Sequence, residues 1–367
     1  MGQCMAGLVN KLVANNELSD EELTELLKYR NKETTEYLFE QAMVAKQKYY
    51  GDSVYIRGTI ELTNYCKNEC FYCGLKRDNI FIPRYRLDEE DVMKFADYGY
   101  ERGVRTFSIM GGDDYNFTQE RITGIIHMLT NKYPDVAIEL SLGQRDEATY
   151  RAWFDAGATR YVLCHETADD NHFKKLHPAE MSLLRRKQCL WELKDIGYQV
   201  GTGFMVGVPF QMINHVVDDL KFIKQLEPQI VRISPFVPSE HTIFAKERSG
   251  NGDMTMYLMA IIRLMLPRVI ITADQTLENV MADGRKKAIS ASANEVLASI
   301  STEDVREYYY VYNKRINRKN TAGDEIERMR LKITESGSMI GNDKGDYNYP
   351  PEEHNYKRKY EKKYSFM

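Results

Sequence analysis

Cys66, Cys70 and Cys73 lie within eight residues of one another in the segment NYCKNECFYCG. Their Cys-x3-Cys-x2-Cys spacing puts three thiols on one short polar loop, which argues against three unligated core thiols. Three thiolates can hold three irons of an iron-sulfur cube and leave the fourth iron without a protein ligand. A structural zinc site is the alternative, but it would need a fourth ligand from elsewhere in the chain. The spacing and the setting favour the cluster.

The cysteine loop follows the first of eight predicted strands. Short runs rich in β-branched and aromatic residues alternate with segments of helical period from residue 54 to residue 312. The predicted strands are 54–63, 105–112, 136–143, 160–167, 199–207, 230–238, 269–276 and 295–301. This alternation covers about 260 residues, close to the length of about 250 typical of a (β/α)8 TIM-type barrel. A doubly wound open sheet is the alternative, but no Gly-x-Gly-x-x-Gly loop follows the first strand.

The barrel prediction places the cysteine loop where chemistry is expected. In barrels of this kind, the active site lies at the C-terminal ends of the strands. The residues that end each predicted strand are therefore the candidates for binding and catalysis.

The composition restricts the partners. The chain has 367 residues, with 50 Lys and Arg against 54 Asp and Glu, so its net charge of −4 argues against a nucleic-acid partner. The sequence contains no run of about 18 apolar residues, so it predicts no membrane span. The N-terminal segment lacks the apolar core of a secretion signal. Six cysteines in so long a chain do not indicate a disulfide framework. We therefore expect a cytoplasmic protein.

Three regions are predicted from these patterns. Residues 1–50 form a helical extension, in which Ser19 begins a capping pattern, and residues 51–316 form the barrel. Residues 317–367 are polar and poor in Leu, Ile and Val, which predicts one short helix followed by a solvated tail. A docking surface is the alternative for this tail, because tyrosines alternate with lysines there. The tyrosines concerned are Tyr347, Tyr349, Tyr356, Tyr360 and Tyr364.

The cysteine loop, with aromatic Tyr72 just before the third cysteine, resembles the signature of the radical S-adenosylmethionine (SAM) superfamily. The resemblance implies a 4Fe-4S cluster with three cysteine ligands, whose open iron chelates the methionine part of SAM. In that family an electron from the cluster cleaves SAM and yields a 5′-deoxyadenosyl radical, which attacks the substrate. Cluster and cofactor supply the difficult chemistry, while the protein orients and shields.

Further segments resemble HydE-like maturases of FeFe-hydrogenase, which are related to biotin synthase. They include YIRGTIELTNYCKNECFYCGLKRDN, RYVLCHETA, KLHPAEMSL and WELKDIGYQVGTGFMVGVP. The resemblance runs from about residue 20 to about residue 316. It implies a role in assembling the di-iron subcluster of the H-cluster from a small-molecule or organometallic substrate. The implied partners are the maturases HydG and HydF, and an electron donor such as ferredoxin or flavodoxin.

The resemblance also assigns SAM-binding residues. Gly111, Gly112 and Asp113 stand where the family has Gly-Gly-Glu, although a Gly-Gly-Asp-Asp segment taken alone would be interpreted as a turn. Arg186 matches the arginine expected to pair with the methionine carboxylate, and neighbouring Arg185 is the alternative. The remaining positions assigned to the cofactor site are Tyr72, Ser141, Glu166 and Tyr309. A helix face packed on the barrel is an equally good interpretation of Tyr309 and Tyr312.

Four positions near strand ends depart from the maturase pattern, namely Glu139, Cys164, Arg232 and Asp274. The maturases have arginine at the position of Cys164 and a small residue at that of Arg232. We expect these differences to alter the charge that meets the substrate. They favour a paralogue that acts on another small substrate, as methylornithine synthase and biotin synthase do. A non-catalytic iron-sulfur scaffold is the third hypothesis.

Overall fold

The computed structural model describes residues 2–312 and 322–350, and its centre is a closed parallel barrel. The strands are β1 Ser53–Thr63, β2 Thr106–Gly111, β3 Ala137–Ser141, β4 Ala158–Val162, β5 Gln199–Thr202, β6 Met205–Val206, β7 Ile230–Val231, β8 Ser234–Pro235, β9 Ile270–Ala273, β10 Glu295–Ser299 and β11 Met339–Ile340. Eight strands of the described ranges form the barrel in the order β1-β2-β3-β4-β5-β7-β9-β10, and β10 pairs with β1. The predicted (β/α)8 TIM-type fold is therefore confirmed.

Helices surround the barrel. They are α1 Gly2–Asn15, α2 Asp20–Lys28, α3 Lys32–Tyr50, α4 Glu89–Glu101, α5 Gln119–Lys132, α6 Glu147–Asp155, α7 Asp170–Leu176, α8 Leu183–Ile196, α9 Ile213–Leu226, α10 Gly252–Met265, α11 Thr276–Val280, α12 Gly284–Ala291, α13 Glu303–Tyr308 and α14 Ala322–Glu335. The predicted capping box is present at Ser19, whose side chain accepts from the backbone of Glu22. Among the helices of the described ranges, none combines the length and hydropathy of a membrane-spanning segment.

The strands form because their residues can be buried on both faces. The last seven residues of β1, Arg57 to Thr63, are all buried, as expected for a barrel strand with packed side chains inside and helices outside. Ile60 and Leu62 are fully buried in the main core. This packing fixes the end of β1, and therefore the start of the cysteine loop.

Two predicted strands end early. In the structure, the predicted strand 199–207 is two strands, β5 and β6. The predicted strand 230–238 is likewise β7 and β8. β6 and β8 leave the barrel wall and pair with each other as a separate parallel ribbon above it. Periodicity did not show this break, because the residues remain apolar on both sides of it.

The C-terminal segment closes the opposite, N-terminal end of the barrel. β11 pairs in parallel with the start of β1. Beyond it, Arg160 donates to the carbonyl of Lys344 at 2.8 Å and to the carboxylate of Asp346 at 2.7 Å. Residues 344–346 of the predicted tail contact the barrel, because buried Arg160 needs acceptors that they supply. Tyr356, Tyr360 and Tyr364 lie outside the described residues.

Candidate active site

The cysteine loop is held by an arginine clamp. Arg84 lies at the end of the loop, and its guanidinium donates to the carbonyls of Leu75 at 3.0 Å, Lys76 at 2.6 Å and Asn79 at 2.9 Å. An arginine guanidinium carries five N–H donors in a fixed plane, so one side chain can satisfy several carbonyls of an irregular loop. The loop is therefore ordered by the protein itself.

The three thiols share one environment on this loop. Cys66, Cys70 and Cys73 are half-buried, and none forms a disulfide. Burial raises the pKa of Cys70 to about 12, and it also raises the pKa of Cys73, with the neighbouring thiols adding to the effect. Neighbouring thiols thus raise the pKa of Cys70 and Cys73, as expected for three thiols on one short loop. Backbone N–H groups point at Cys66, that of Asp113 at 3.4 Å from its sulfur.

The Gly-Gly-Asp segment contacts the cysteine loop directly. A side chain at Gly112 would place its Cβ 2.0 Å from the carbonyl oxygen of Tyr65 and 2.8 Å from Cβ of Cys66, so only glycine fits. Gly111 ends β2 against Thr63. The N–H of Lys67 donates to the carbonyl of the next residue in the segment, Asp113, at 2.8 Å. The segment is therefore a support of the loop and not an isolated turn.

The carboxylate of Asp113 is already engaged by two cations. Its Oδ1 pairs with Arg145, and its Oδ2 lies 3.2 Å from Nζ of Lys67. The side chain is 5% exposed. Sequence reasoning did not identify Arg145, and its place directly after β3 and Gly143 was the available signal.

Buried Arg186 lies with half-buried Glu166 and Tyr72 beside the thiols. Glu166 follows β4 with φ of 68°, which lies in the left-handed region that a non-glycine residue rarely adopts. Burial raises its pKa to about 7, although the charge of Arg186 acts in the opposite direction. The hydroxyl of Tyr72 lies 3.1 Å from Nε2 of His177. Charges of Glu166 and Arg186 also reach the thiol of Cys70, as their effects on its pKa show.

The structure distinguishes the two neighbouring arginines. Arg186 is 6% exposed, and its Nη1 donates to the carbonyl of Cys164 at 3.1 Å, but its buried Nε has no hydrogen-bond partner among the described residues. Arg185 instead pairs with Glu192 at 2.5 Å on the outside of the barrel. Because consecutive helical residues differ by about 100° in direction, only one of the two can point inward. An unsatisfied buried guanidinium nitrogen suits an anionic ligand.

A cavity of about 370 Å³ lies beside this group at the C-terminal ends of the strands. Ser141 and Tyr309 both line it, as do three of the four positions that depart from the maturase pattern. Those three are Cys164, Arg232 and Asp274. Tyr312 is a further lining residue. The structure therefore brings two of the predicted cofactor residues and three of the divergent positions to one cavity.

Glu139 lies beneath the cavity instead of in its wall. It is fully buried and pairs with Arg57 at 3.2 Å and with Arg232 at 2.6 Å. Glu295 pairs with the same two arginines. We call Arg57, Glu139, Arg232 and Glu295 the ionic ring. The prediction that Glu139 changes the charge met by the substrate was wrong, because its charge is balanced inside this ring.

Comparisons with known proteins agree with this arrangement. The family model of the radical SAM superfamily matches residues 60–223, which include the cysteine loop and the Gly-Gly-Asp segment. The chain is also 36% identical over 300 residues to the [FeFe] hydrogenase maturase subunit HydE of Thermotoga maritima, covering 82% of this chain and 85% of that protein. This chain belongs to the radical SAM superfamily and is a radical SAM enzyme.

Two further similarities are to methylornithine synthases. The chain is 27% identical over 312 residues to 3-methylornithine synthase of Methanosarcina acetivorans, covering 84% of this chain and 87% of that protein. The crystal structure of methylornithine synthase PylB superposes with a TM-score of 0.76 at 23% identity, covering 91% of this chain and 97% of that one. The structural similarity supports the barrel fold.

Superfamily membership implies a 4Fe-4S cluster and SAM, and the residues present fit both. Three neighbouring thiols with an N–H donor at Cys66 suit thiolate ligation of a cluster. The unsatisfied Nε of Arg186 suits a carboxylate. In the described part of the chain, no three His, Cys, Asp or Glu side chains surround a single point as a lone metal ion requires.

Proposed function

We propose that Cys66, Cys70 and Cys73 hold a 4Fe-4S cluster that leaves one iron open for SAM. When bound, the cluster would supply the electron that cleaves the sulfonium of SAM. The loop supports this role through Arg84, which fixes the backbone that follows Cys73. Because burial keeps the thiols protonated in the protein alone, metal binding releases protons and is favoured by rising pH.

The SAM site lies between the loop and the barrel wall. Arg186 would bind the methionine carboxylate through its Nε, which has no partner in the described structure. Gly111, Gly112 and Asp113 would present backbone groups to the amino end of the cofactor, beside Cys66. Four further residues belong to the proposed cofactor site. They are Tyr72, Ser141, Glu166 and Tyr309.

The proposed cellular role is that of a HydE-like maturase, which helps to assemble the di-iron subcluster of the FeFe-hydrogenase H-cluster in the cytoplasm. The single observation that carries it is the 36% identity to HydE over 82% of the chain. In this role the substrate is a small organometallic complex supplied by HydG, the product passes to HydF, and a ferredoxin or flavodoxin donates electrons.

The test is a reconstituted maturation of apo-hydrogenase with HydF and HydG, with and without this chain. We expect hydrogenase activity to depend on the chain and to be lost with Cys70→Ala. Cys189→Ala is the matched control, because Cys189 is a buried thiol on α8, outside the cysteine loop. Activity that is independent of the chain would exclude the maturase role.

A second candidate function is supported by the cavity itself. Cys164 replaces an arginine, while Arg232 and Asp274 introduce charges at the substrate end of the barrel. These residues favour a paralogue that acts on a different small molecule with the same radical chemistry. If SAM is cleaved under dithionite but maturation does not require the chain, this second candidate is the correct one.

A further inference from the structure

His165 lies in the segment that carries Glu166 to the proposed SAM site. It directly follows Cys164, whose carbonyl accepts from the guanidinium of Arg186 at 3.1 Å. It directly precedes Glu166, the residue with φ of 68°. The imidazole of His165 is fully buried. A buried imidazole needs partners for both of its ring nitrogens, and these partners determine its protonation.

The contacts of Nδ1 fix the tautomer of this imidazole. The hydroxyl of Thr202 carries one proton, which it donates to the carbonyl of Leu163 at 3.0 Å. The hydroxyl oxygen therefore accepts its second hydrogen bond from Nδ1–H of His165, at 2.9 Å. Because a neutral imidazole has only one N–H, its Nε2 is left with a lone pair. Nε2 of neutral His165 is therefore an acceptor.

The group that faces Nε2 is also an acceptor when it is ionised. Oδ1 of Asp219 lies 3.3 Å from Nε2 of His165, and both side chains are fully buried. Oδ1 also accepts from the N–H of Ala168 at 2.5 Å. Apart from the contact between the two side chains, neither Nε2 nor Oδ2 has a hydrogen-bond partner among the described residues. A lone pair and an ionised carboxylate would repel each other in this dry setting, so the pair must hold one proton.

The surroundings place this proton on Asp219. Four charged side chains act on the pair, namely Arg186 and Lys187 on α8, Asp218 on α9 and Glu166. Burial lowers the pKa of His165 to about 3, and the two cations act in the same direction. Burial raises the pKa of Asp219 well above its usual value, and the two anions add to this effect, although Lys187 and the N–H of Ala168 oppose it. A neutral imidazole therefore faces a protonated carboxyl group.

The pair holds the segment between β4 and α7 from both sides of Glu166. On one side, His165 is tied to β5 through its Nδ1. On the other side, Asp219 on α9 holds the N–H of Ala168, and Nζ of Lys187 donates to the carbonyl of Ala168 at 2.9 Å. A left-handed φ at a non-glycine residue costs energy and persists only where the surrounding structure holds it. Glu166 has this conformation between the two anchored residues.

We propose that His165 and Asp219 are positioning residues for SAM, which share one buried proton carried by Asp219 and hold Glu166 in place. The inference rests on the proposed radical SAM site. The pair acts through the segment that joins β4 to α7. A protonated Asp219 donates to Nε2 of His165 and accepts from Ala168, so the segment is fixed without a buried net charge.

Infrared spectroscopy of the protein without cluster tests the shared proton. The difference spectrum between the parent and Asp219→Asn should contain the C=O stretch of a protonated carboxyl group, unchanged between about pH 6 and 8. Because the folded-state pKa of Asp219 is raised, this band should be lost only as the pH rises beyond that range. Absence of the band at about pH 7 would overturn the proposal, because Asp219 would then be ionised.

SAM affinity of the cluster-reconstituted enzyme, measured by equilibrium dialysis, tests the positioning role. Asparagine copies a protonated aspartate, so Asp219→Asn should bind SAM within about twofold of the parent. Asp219→Leu has a similar volume but no polar atom, and it should weaken SAM binding about tenfold or more. Asp218→Leu, the same substitution at the half-buried neighbour on α9, is the matched control and should bind SAM as the parent does.

A double-mutant cycle tests whether the two residues act as one unit. His165→Phe keeps a planar ring but removes both nitrogens, and it should weaken SAM binding as much as Asp219→Leu does. The variant with both changes should bind SAM no more weakly than either single variant. Additive losses would show that the residues act independently and would overturn the pair. Circular dichroism and urea unfolding establish that each variant is folded.

The outcomes separate this inference from the function on which it rests. A loss of about tenfold in SAM affinity with Asp219→Asn would mean that an ionised carboxylate is required, and it would refute the neutral pair. Asp219→Asn provides this test even if Asp219→Leu does not fold. A folded Asp219→Leu with the SAM affinity of the parent would refute the positioning role. Failure of the reconstituted parent to bind SAM would refute the proposed function, whereas the infrared band tests the shared proton independently of SAM.

Discussion

Replacing Glu139 by glutamine tests the ionic ring that supports the cavity. The change removes the charge but keeps the shape of the side chain, so Arg57 and Arg232 each lose one anionic partner in a fully buried setting. Breaking a buried ion pair by removing one partner costs about 3–5 kcal/mol. The lowered pKa of Glu139 gives a second value for the free energy that these ion pairs contribute. Burial would raise the pKa of Glu139, but Arg232 and Arg57 lower it from 4.5 to about 2, which corresponds to about 3 kcal/mol at neutral pH.

The assay is urea unfolding of the parent protein, Glu139→Gln and a control, Glu147→Gln. Glu147 forms an exposed pair with Arg151 on α6, which contributes at most about 1 kcal/mol. We expect Glu139→Gln to lose about 3 kcal/mol at pH 7. Because the folded-state pKa is lowered, the contribution of the carboxylate is complete above about pH 4.5 and is lost as pH falls toward 2. A loss no larger than that of the control would refute the ring as a supporting structure.

Three further predictions concern the cofactor site and the C-terminal segment. Arg186→Met should weaken SAM binding at least about tenfold, measured by equilibrium dialysis, whereas Arg185→Met should not, because Arg186 is buried with an unpartnered Nε and Arg185 pairs with Glu192. If Glu166 binds SAM as a carboxylate, SAM affinity should rise as pH increases through about 7, and Glu166→Gln should abolish this dependence. Asp346→Asn should lower the free energy of unfolding by about 1–2 kcal/mol in urea titrations, because it weakens the acceptor of buried Arg160, and an unchanged midpoint would contradict the closure of the barrel by this segment.

The barrel and the cysteine loop were predictable because their signals are local. Eight alternations between strand-like and helix-like hydrophobic periods predict the fold, and three cysteines within eight residues predict the metal-binding loop. The choice between Arg185 and Arg186 was not local, because it depends on which face of α8 meets the barrel. The structure shows which of these two adjacent arginines faces the barrel. The sequence alone cannot, because the two residues are identical in type.

The ionic ring could not be predicted, because its four members come from four separate parts of the barrel wall. Each member taken alone is a charged residue in or next to an apolar strand, and only the closed sheet brings them together. β11, at Met339–Ile340, was missed for a different reason. Two residues carry no periodic pattern, and this strand forms only because the edge of β1 is available to pair with it.

The most direct test of the central claim is anaerobic reconstitution followed by iron analysis and an assay for 5′-deoxyadenosine after addition of SAM and dithionite. The parent chain should bind about four irons and release 5′-deoxyadenosine, Cys70→Ala should do neither, and Cys189→Ala should behave as the parent. Stoichiometric zinc in place of iron, or SAM cleavage that survives in Cys70→Ala, would contradict the assignment of the three thiols to a radical SAM cluster.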